Sequence, residues 1–481
     1  MRPERLALAG MVRTLDPSRP IAGGVVADGG CITELTAAPG ALHLPAGAVV
    51  VPGFEDPHVH LLAMAAGRRS VDCSAAVAPD LDAFAAVLVA GARRGQGWLR
   101  AVGFDDALVA ERRPPDRHLL DRAVPGRPLV VHHSVGVVAW CNSEALRRLG
   151  VDPDRGDGTD GVERDRHGRA TGAVAERSPV LGAVPALDPG DLRAAFDETA
   201  SDLLAAGVTA VTDATATNDQ RAVDLLATWA GDAPAPRVSL MLAATIVSTG
   251  PVTDLSPVRL GHAKCIVEGD DPEDLDEVVA RCRARGWPVA LHVTDVDTLD
   301  RALHALGASP PASRADRLEH VSLCLPEQVA QVAASGAVVV THPAFVERRR
   351  AKYAEQLSDV EHRWLYRVRS LLDAGVTVAA ASDAPVLAAR PMESVAAAVV
   401  RELNPDERVD AATALALVTR GAAAASGDEG GVLRLRGPAD FVVLGADPLS
   451  VDTADLAAIP VLATVVAGRV VYRSSELAFL A

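Results

Sequence analysis

Between positions 54 and 429 the chain alternates two rhythms. Short apolar runs rich in Val and Ala read into Phe54 and recur at 208–213, 238–243, 264–267, 289–293, 317–321, 338–342 and 376–381. Most are followed by stretches with an apolar residue every three to four positions, such as 272–285, 326–334 and 411–424. The first rhythm is that of buried parallel strands and the second that of amphipathic helices. Eight strand–helix units predict an α/β chain closed into a (β/α)8 TIM barrel.

The two ends have a different texture. Residues 1–53 carry short apolar runs at 6–8, 24–26, 31–35 and 48–51, broken by Gly and Pro, and residues 430–481 repeat this with strand candidates at 441–444 and 461–472. Neither end has enough strands for a stable sheet of its own. Together they predict one small composite β-sandwich domain, with the barrel occupying 54–429. An insertion of about 71–192 interrupts the series after the first barrel strand and carries a strand candidate at 128–133 and a hairpin-like stretch at 156–172. Insertions on that face of a barrel commonly cap the active site, so a cap is expected.

Composition agrees with a small-aliphatic core: 49% of the 481 residues are hydrophobic and only 3% aromatic. Lys and Arg total 47 against 63 Asp and Glu, a net charge of −16, which argues against a phosphate-binding face and so against nucleic acid. The one dense basic run is Arg348, Arg349, Arg350 and Lys352. The six cysteines, at 31, 73, 141, 265, 282 and 324, form no CxxC pair and are expected as buried fillers in a reducing cytoplasm. No apolar run approaches the ~20 residues of a membrane span, and the N-terminus leads into a strand-like stretch, not a signal peptide.

Chemistry gathers at the strand ends. The first strand finishes in Asp56-Pro57-His58-Val59-His60, where i and i+2 face one side, so that both imidazoles can grip one ion. The fifth ends at His292, the sixth at His320 and the eighth at Ser382-Asp383. Barrel order brings these ends to one rim, and imidazole and carboxylate ligands suit Zn²⁺ and related divalent metals. Taken singly, each feature has a plainer explanation: a chance HxH, a satisfied core histidine, or a helix cap at Asp383. Asp56 is expected to support His58 or His60, or to cap a turn. Asp106, Glu176 and His342 are candidates for substrate binding or support, and Asp213 for support of the barrel mouth.

The segments VPGFEDPHVHL, RLEHV, AAASDAPV and GPADFVVLGADP resemble the amidohydrolase superfamily. The resemblance is strongest to its YtcJ-like branch, which includes N-substituted formamide deformylase. It extends into the insertion through GFDDALVAERRPPDRHLLDRA, AWCNSEALRRLGV and TGAVAERS. It implies the composite β-domain, a hydrolase of C–N bonds of amide, N-acyl or N-formyl type, and one or two divalent metals. The implied ligands are His58, His60, Lys264, His292, His320 and Asp383. Lys264 would contribute as a metal-bridging carbamate, the plainer reading being a lysine paired with Glu268 or Asp270. Bound metal lowers the pKa of water from 15.7 towards about 7, giving hydroxide, and Asp383 would shuttle its proton to the leaving group. The expected partners are a small-molecule substrate and a second copy in a homodimer. Val137 stands where relatives often carry histidine, and His342 where they often carry glutamine.

Two other readings use the same residues. A mononuclear aminohydrolase (deaminase) shares the HxH, two later histidines and the aspartate. It needs a glutamate just after the fifth-strand histidine, where this chain has His292-Val293-Thr294-Asp295. Strict alternation would turn Glu319, next to His320, away from the site. A metal-free scaffold or binding homologue is the third reading.

Overall fold

The computed structural model describes residues 5–136, 138–156, 161–176, 178–230, 234–250, 252–253, 256–267 and 274–477. Barrel strands 1 to 8 are Phe54–Val59, Val208–Asp213, Arg237–Ala243, Arg259–Ile266, Val289–Val293, Arg317–His320, Val338–Thr341 and Val378–Ala380. Each is parallel to the next. A bridge between Val59 and Ala384 joins the first to the last. The predicted eight-stranded parallel barrel is therefore present. Strand 4 begins at Arg259, well ahead of the apolar run that signalled it, because Arg259 and Leu260 pair with strand 3 whatever their polarity.

Helix boundaries follow where tertiary partners allow. The stretch 411–424, read as one helix, is two, Ala411–Leu417 and Arg420–Ser426. The Val418 carbonyl accepts from the Glu55 N–H of strand 1, and Thr419 leaves the helical region at φ −127° and ψ −97°. A contact with strand 1 thus outcompetes local periodicity.

The two termini share one eight-stranded sheet. Its path runs from Arg469–Arg473 through Val461–Val466, Phe441–Leu444, Val49–Pro52, Leu6–Arg13 and Ile21–Asp28 to Cys31–Glu34. Phe441–Leu444 lies antiparallel to Val49–Pro52, so the last strands are held by the first. Leu8, Val25, Ile32, Val50, Phe441 and Val465 are buried in its core. The single run expected at 461–472 is a hairpin, turned by Ala467 and Gly468 at φ 48° and 75°. Positive φ at both central residues gives the strand twist that a two-residue hairpin needs.

Leu61–Glu198 forms a compact unit of its own, wider than the insertion expected from sequence. Its six-stranded sheet includes Leu99–Phe104, Leu129–His133, Val138–Cys141 and Ala170–Ala175. Phe84, Phe104 and Trp140 pack in its core, with ring centroids 4.8 Å and 5.3 Å apart. All six thiols of the chain are free. Cys31 is exposed and Cys265 half-buried, which corrects the expectation that every cysteine is buried filler. Among the described residues no helix is long and apolar enough to cross a membrane.

Where the barrel begins, Arg237 gathers three carboxylates. Its Nε donates to Asp440 at 2.8 Å, another nitrogen pairs with Asp428, and the buried Glu55 lies 3.7 Å away with no hydrogen bond among the described residues. Burial, with Asp428 close by, pushes the Glu55 carboxyl up to about 8. The folded chain therefore keeps a proton that the unfolded chain releases near pH 4.5, and stability falls as pH rises from about 4.5 to 8. Glu55→Gln is expected to remove this slope, at most about 1.4 kcal/mol per pH unit, and to raise stability at pH 8.5 relative to wild type. Denaturant melts at pH 5.5 and 8.5 check this; equal slopes for the two proteins would refute it.

Candidate metal centre

Backbone conformation sets what the strand ends present. His320, Val321 and Asp383 adopt φ of 69°, 47° and 59°. Such values cost a non-glycine residue on the order of 1–3 kcal/mol each, most clearly the β-branched Val321, and persist only where surrounding contacts impose them. The Thr341 hydroxyl holds the His320 carbonyl at 2.9 Å, and the Asp383 N–H is held by the His58 carbonyl at 3.0 Å.

This left-handed step overturns one expectation. Glu319 does not turn away: its Oε2 accepts from His58 Nδ1 at 2.5 Å, and it is fully buried. Strand alternation holds only while φ stays extended, and the reversal at His320 lets neighbouring side chains both meet His58. Their rings or carboxylate approach it directly, the His58 and His320 centroids lying 4.8 Å apart. Arg317 braces Glu319 with contacts of 2.7 Å and 2.9 Å and donates to the Pro57 carbonyl at 2.8 Å. The Arg317 guanidinium, Lys264 and His58 hold the Glu319 carboxyl well below its ordinary range although burial alone would raise it.

Besides Asp105, Asp106 and His133 in the Leu61–Glu198 unit, two groups of three possible ligands occur among the described residues. His58, His60 and Asp383 form one; His58, His320 and His342 form the other; in each, one donor atom per residue lies within 4.8 Å of the others. His60 Nε2 is 3.1 Å from Asp383 Oδ1, and its Nδ1 is 2.9 Å from the Thr215 hydroxyl. Thr215 is in turn placed by Asp213, which accepts from its N–H at 2.9 Å and from Asn218 Nδ2 at 2.8 Å. Asp213 thus stands behind His60 at one remove, and Thr215, which no sequence signal marked, makes the contact.

Asp56 supports backbone rather than a ring. Its Oδ1 accepts from the N–H of Ser382 at 3.2 Å and of His58 at 3.4 Å, tying strand 1 to strand 8; burial pushes its carboxyl up to about 6. Burial would also raise Asp383, but the His60 hydrogen bond and the surrounding imidazoles hold it well below the usual carboxylate range. Burial and Lys264 push His58 down to about 3, and His292 follows for the same reasons. These rings are therefore neutral, which is the metal-ligating form.

Lys264 lies on strand 4, buried, with no hydrogen-bond partner for Nζ among the described residues; burial lowers its pKa. Glu268 and Asp270, its plainer partners, lie outside the described residues, as does Val137. His292 packs its ring 4.3 Å from that of His320 but joins neither group of three. His342, expected to bind substrate or support the site, does join one. Within the Leu61–Glu198 unit, Glu176 pairs with His132 at 3.0 Å, and Asp106 with His133 at 3.2 Å.

The donor set fits a metal. Among the described residues, buried nitrogens of Lys264, His320 and His342 lack partners, and an unpaired buried polar atom costs about 1–3 kcal/mol unless something satisfies it. A divalent cation does so for the imidazoles.

Residues 46–472 match the Amidohydrolase family. The chain is 30% identical to an N-substituted formamide deformylase of Arthrobacter pascens, with 96% of this chain and 97% of the relative covered. It is 25% identical to the putative amidohydrolase YtcJ of Bacillus subtilis (strain 168), covering 89% and 90%. Among solved structures, an uncharacterized metal-dependent hydrolase from Pyrococcus horikoshii OT3 superposes with a TM-score of 0.74 at 22% identity, covering 94% and 99%.

Proposed function

The chain belongs to the amidohydrolase family, a metal-dependent hydrolase of carbon–nitrogen bonds, and from that premise we propose that it cleaves an N-acyl or N-formyl amine, with Asp383 moving the proton. The observation that carries the reading is the meeting of His58, His60, His320 and Asp383 at one end of the barrel, with buried imidazole nitrogens left unsatisfied. The relative named a deformylase supplies the substrate class.

The proposed ligands are His58, His60, Lys264, His292, His320 and Asp383, and the proposed ion is Zn²⁺, which imidazole nitrogen suits. Held by these residues, a divalent ion would supply a water of pKa lowered towards about 7 and a Lewis acid for a carbonyl. Asp383, kept ionised, accepts the attacking water's proton at its carboxylate and returns it to the leaving nitrogen. His60 Nε2, 3.1 Å away, orients that carboxylate, and Thr215 fixes the ring from its other side. Burial lowers the pKa of Lys264, which favours the uncharged amine that adds carbon dioxide. As a carbamate it would offer oxygen ligands; native intact mass of the metal-loaded protein should then exceed the summed mass of the chain and its bound ions by one carbon dioxide.

Glu319 holds the His58 tautomer with Nε2 free for a ligand. Glu319→Gln is expected to weaken metal binding about 10–100-fold with the chain still folded. Competition against a chromophoric chelator checks this, and an unchanged affinity would remove Glu319 from the site. The reading itself is tested by a chelator-sensitive screen of N-formyl amines, N-acyl amines, lactams and esters. Turnover of an N-formyl or N-acyl amine, lost with chelator and regained with Zn²⁺, is the expected result. Activity indifferent to chelator, or confined to esters, would overturn it.

A further inference from the structure

We propose that His342 is itself a metal ligand, its Nε2 joining nitrogens of His320 and His58 as a three-imidazole face for a divalent transition-metal ion. This rests on the metal-hydrolase reading and goes beyond its ligand set. Barrel strand 7 ends at Thr341, and His342 follows as the N-cap of the short helix Pro343–Arg348. Its Nδ1 lies 3.0 Å from the Ala381 carbonyl. A carbonyl only accepts, so Nδ1 carries the proton and Nε2 a bare lone pair.

That lone pair is buried and has no hydrogen-bond partner among the described residues. The same is true of His320 Nε2. His58 spends its Nδ1–H on Glu319, which leaves its other nitrogen as a lone pair as well. One nitrogen from each of the three rings lies within 4.8 Å of the others, and the residues are 1%, 5% and 0% exposed. Imidazole nitrogens gathered this closely, with those of His320 and His342 unpartnered among the described residues, form an arrangement that a cation would relieve. Three neutral nitrogens plus one open position are a common catalytic zinc environment, with ligands at about 2.0–2.1 Å.

Substrate contact suits His342 less well. Its ring is 4.7 Å from that of His320 and is stacked at 5.0 Å on Phe345, with 24° between planes, and none of it reaches the surface. A ring so placed is rigidly aimed, as a ligand must be. His58 belongs also to the group with His60 and Asp383, and its one free nitrogen serves one ion at a time.

The test compares wild type with His342→Phe, which keeps a stacked ring, and with His342→Ala. Chelator-treated proteins, checked as folded by circular dichroism, are titrated with Zn²⁺ and, separately, with Co²⁺ followed by visible absorption. Expected is loss of one equivalent, or binding weaker by about two orders of magnitude, with a changed Co²⁺ spectrum. Variants that bind with wild-type affinity and spectrum would overturn the proposal. Independently of any variant, a crystal structure of the Zn²⁺-loaded wild type should place His342 Nε2 about 2.1 Å from an ion; an ion well beyond that distance would overturn it too. Wild type that takes up no ion at all would be a different failure, that of the hydrolase reading.

Discussion

A protein carrying both His58→Ala and His60→Ala is expected to lose metal from at least one site and activity with it. A four-ligand zinc site is worth roughly 10–16 kcal/mol, so each ligand contributes about 3 kcal/mol, or about two orders of magnitude in affinity. Losing two should weaken binding by about four orders of magnitude. The substitutions also strand Glu319, whose Oε2 faces His58 Nδ1 at 2.5 Å, but Arg317 still neutralises it. The barrel should therefore remain folded. Metal content after dialysis, measured beside circular dichroism, checks the result. Full metal content together with full turnover would show that the HxH pair is not the ligand pair.

Asp383→Asn should lower kcat/KM by about 10²–10⁴, the usual worth of a positioned acid–base group. Asparagine is nearly isosteric and tolerates the left-handed backbone at φ 59°, so the local fold is kept. What disappears is the carboxylate facing His60. Asp383→Val would confound the result, because a β-branched residue at that φ adds strain of its own. Steady-state kinetics at matched metal occupancy separates lost proton transfer from lost metal. Wild-type kcat/KM at matched occupancy would exclude Asp383 as the shuttle.

Much of this site can be read from residue pattern alone. HxH at a strand end carries its own geometry, since alternate residues share a face, and His58 and His60 do meet Asp383. Glu319 was read in the opposite sense because alternation assumes extended backbone, and the positive φ at His320 and Val321 ends it there. Thr215 gave no signal; its role exists only because strand 2 lies beside strand 1. His342 offered one nitrogen among many, and only the Ala381 carbonyl decides which of its two is bare.

The order of apolar runs was enough to determine the barrel, because burying eight parallel strands with helices outside leaves few alternatives. It also determined that the two termini share a sheet and that the metal-capable side chains sit at strand ends. Ring tautomers, the inward Glu319, and the grouping of His342 with His58 and His320 were decided by the tertiary structure. Each depends on contacts between residues far apart in the chain, at a scale of tenths of an ångström. Local periodicity carries no information at that scale.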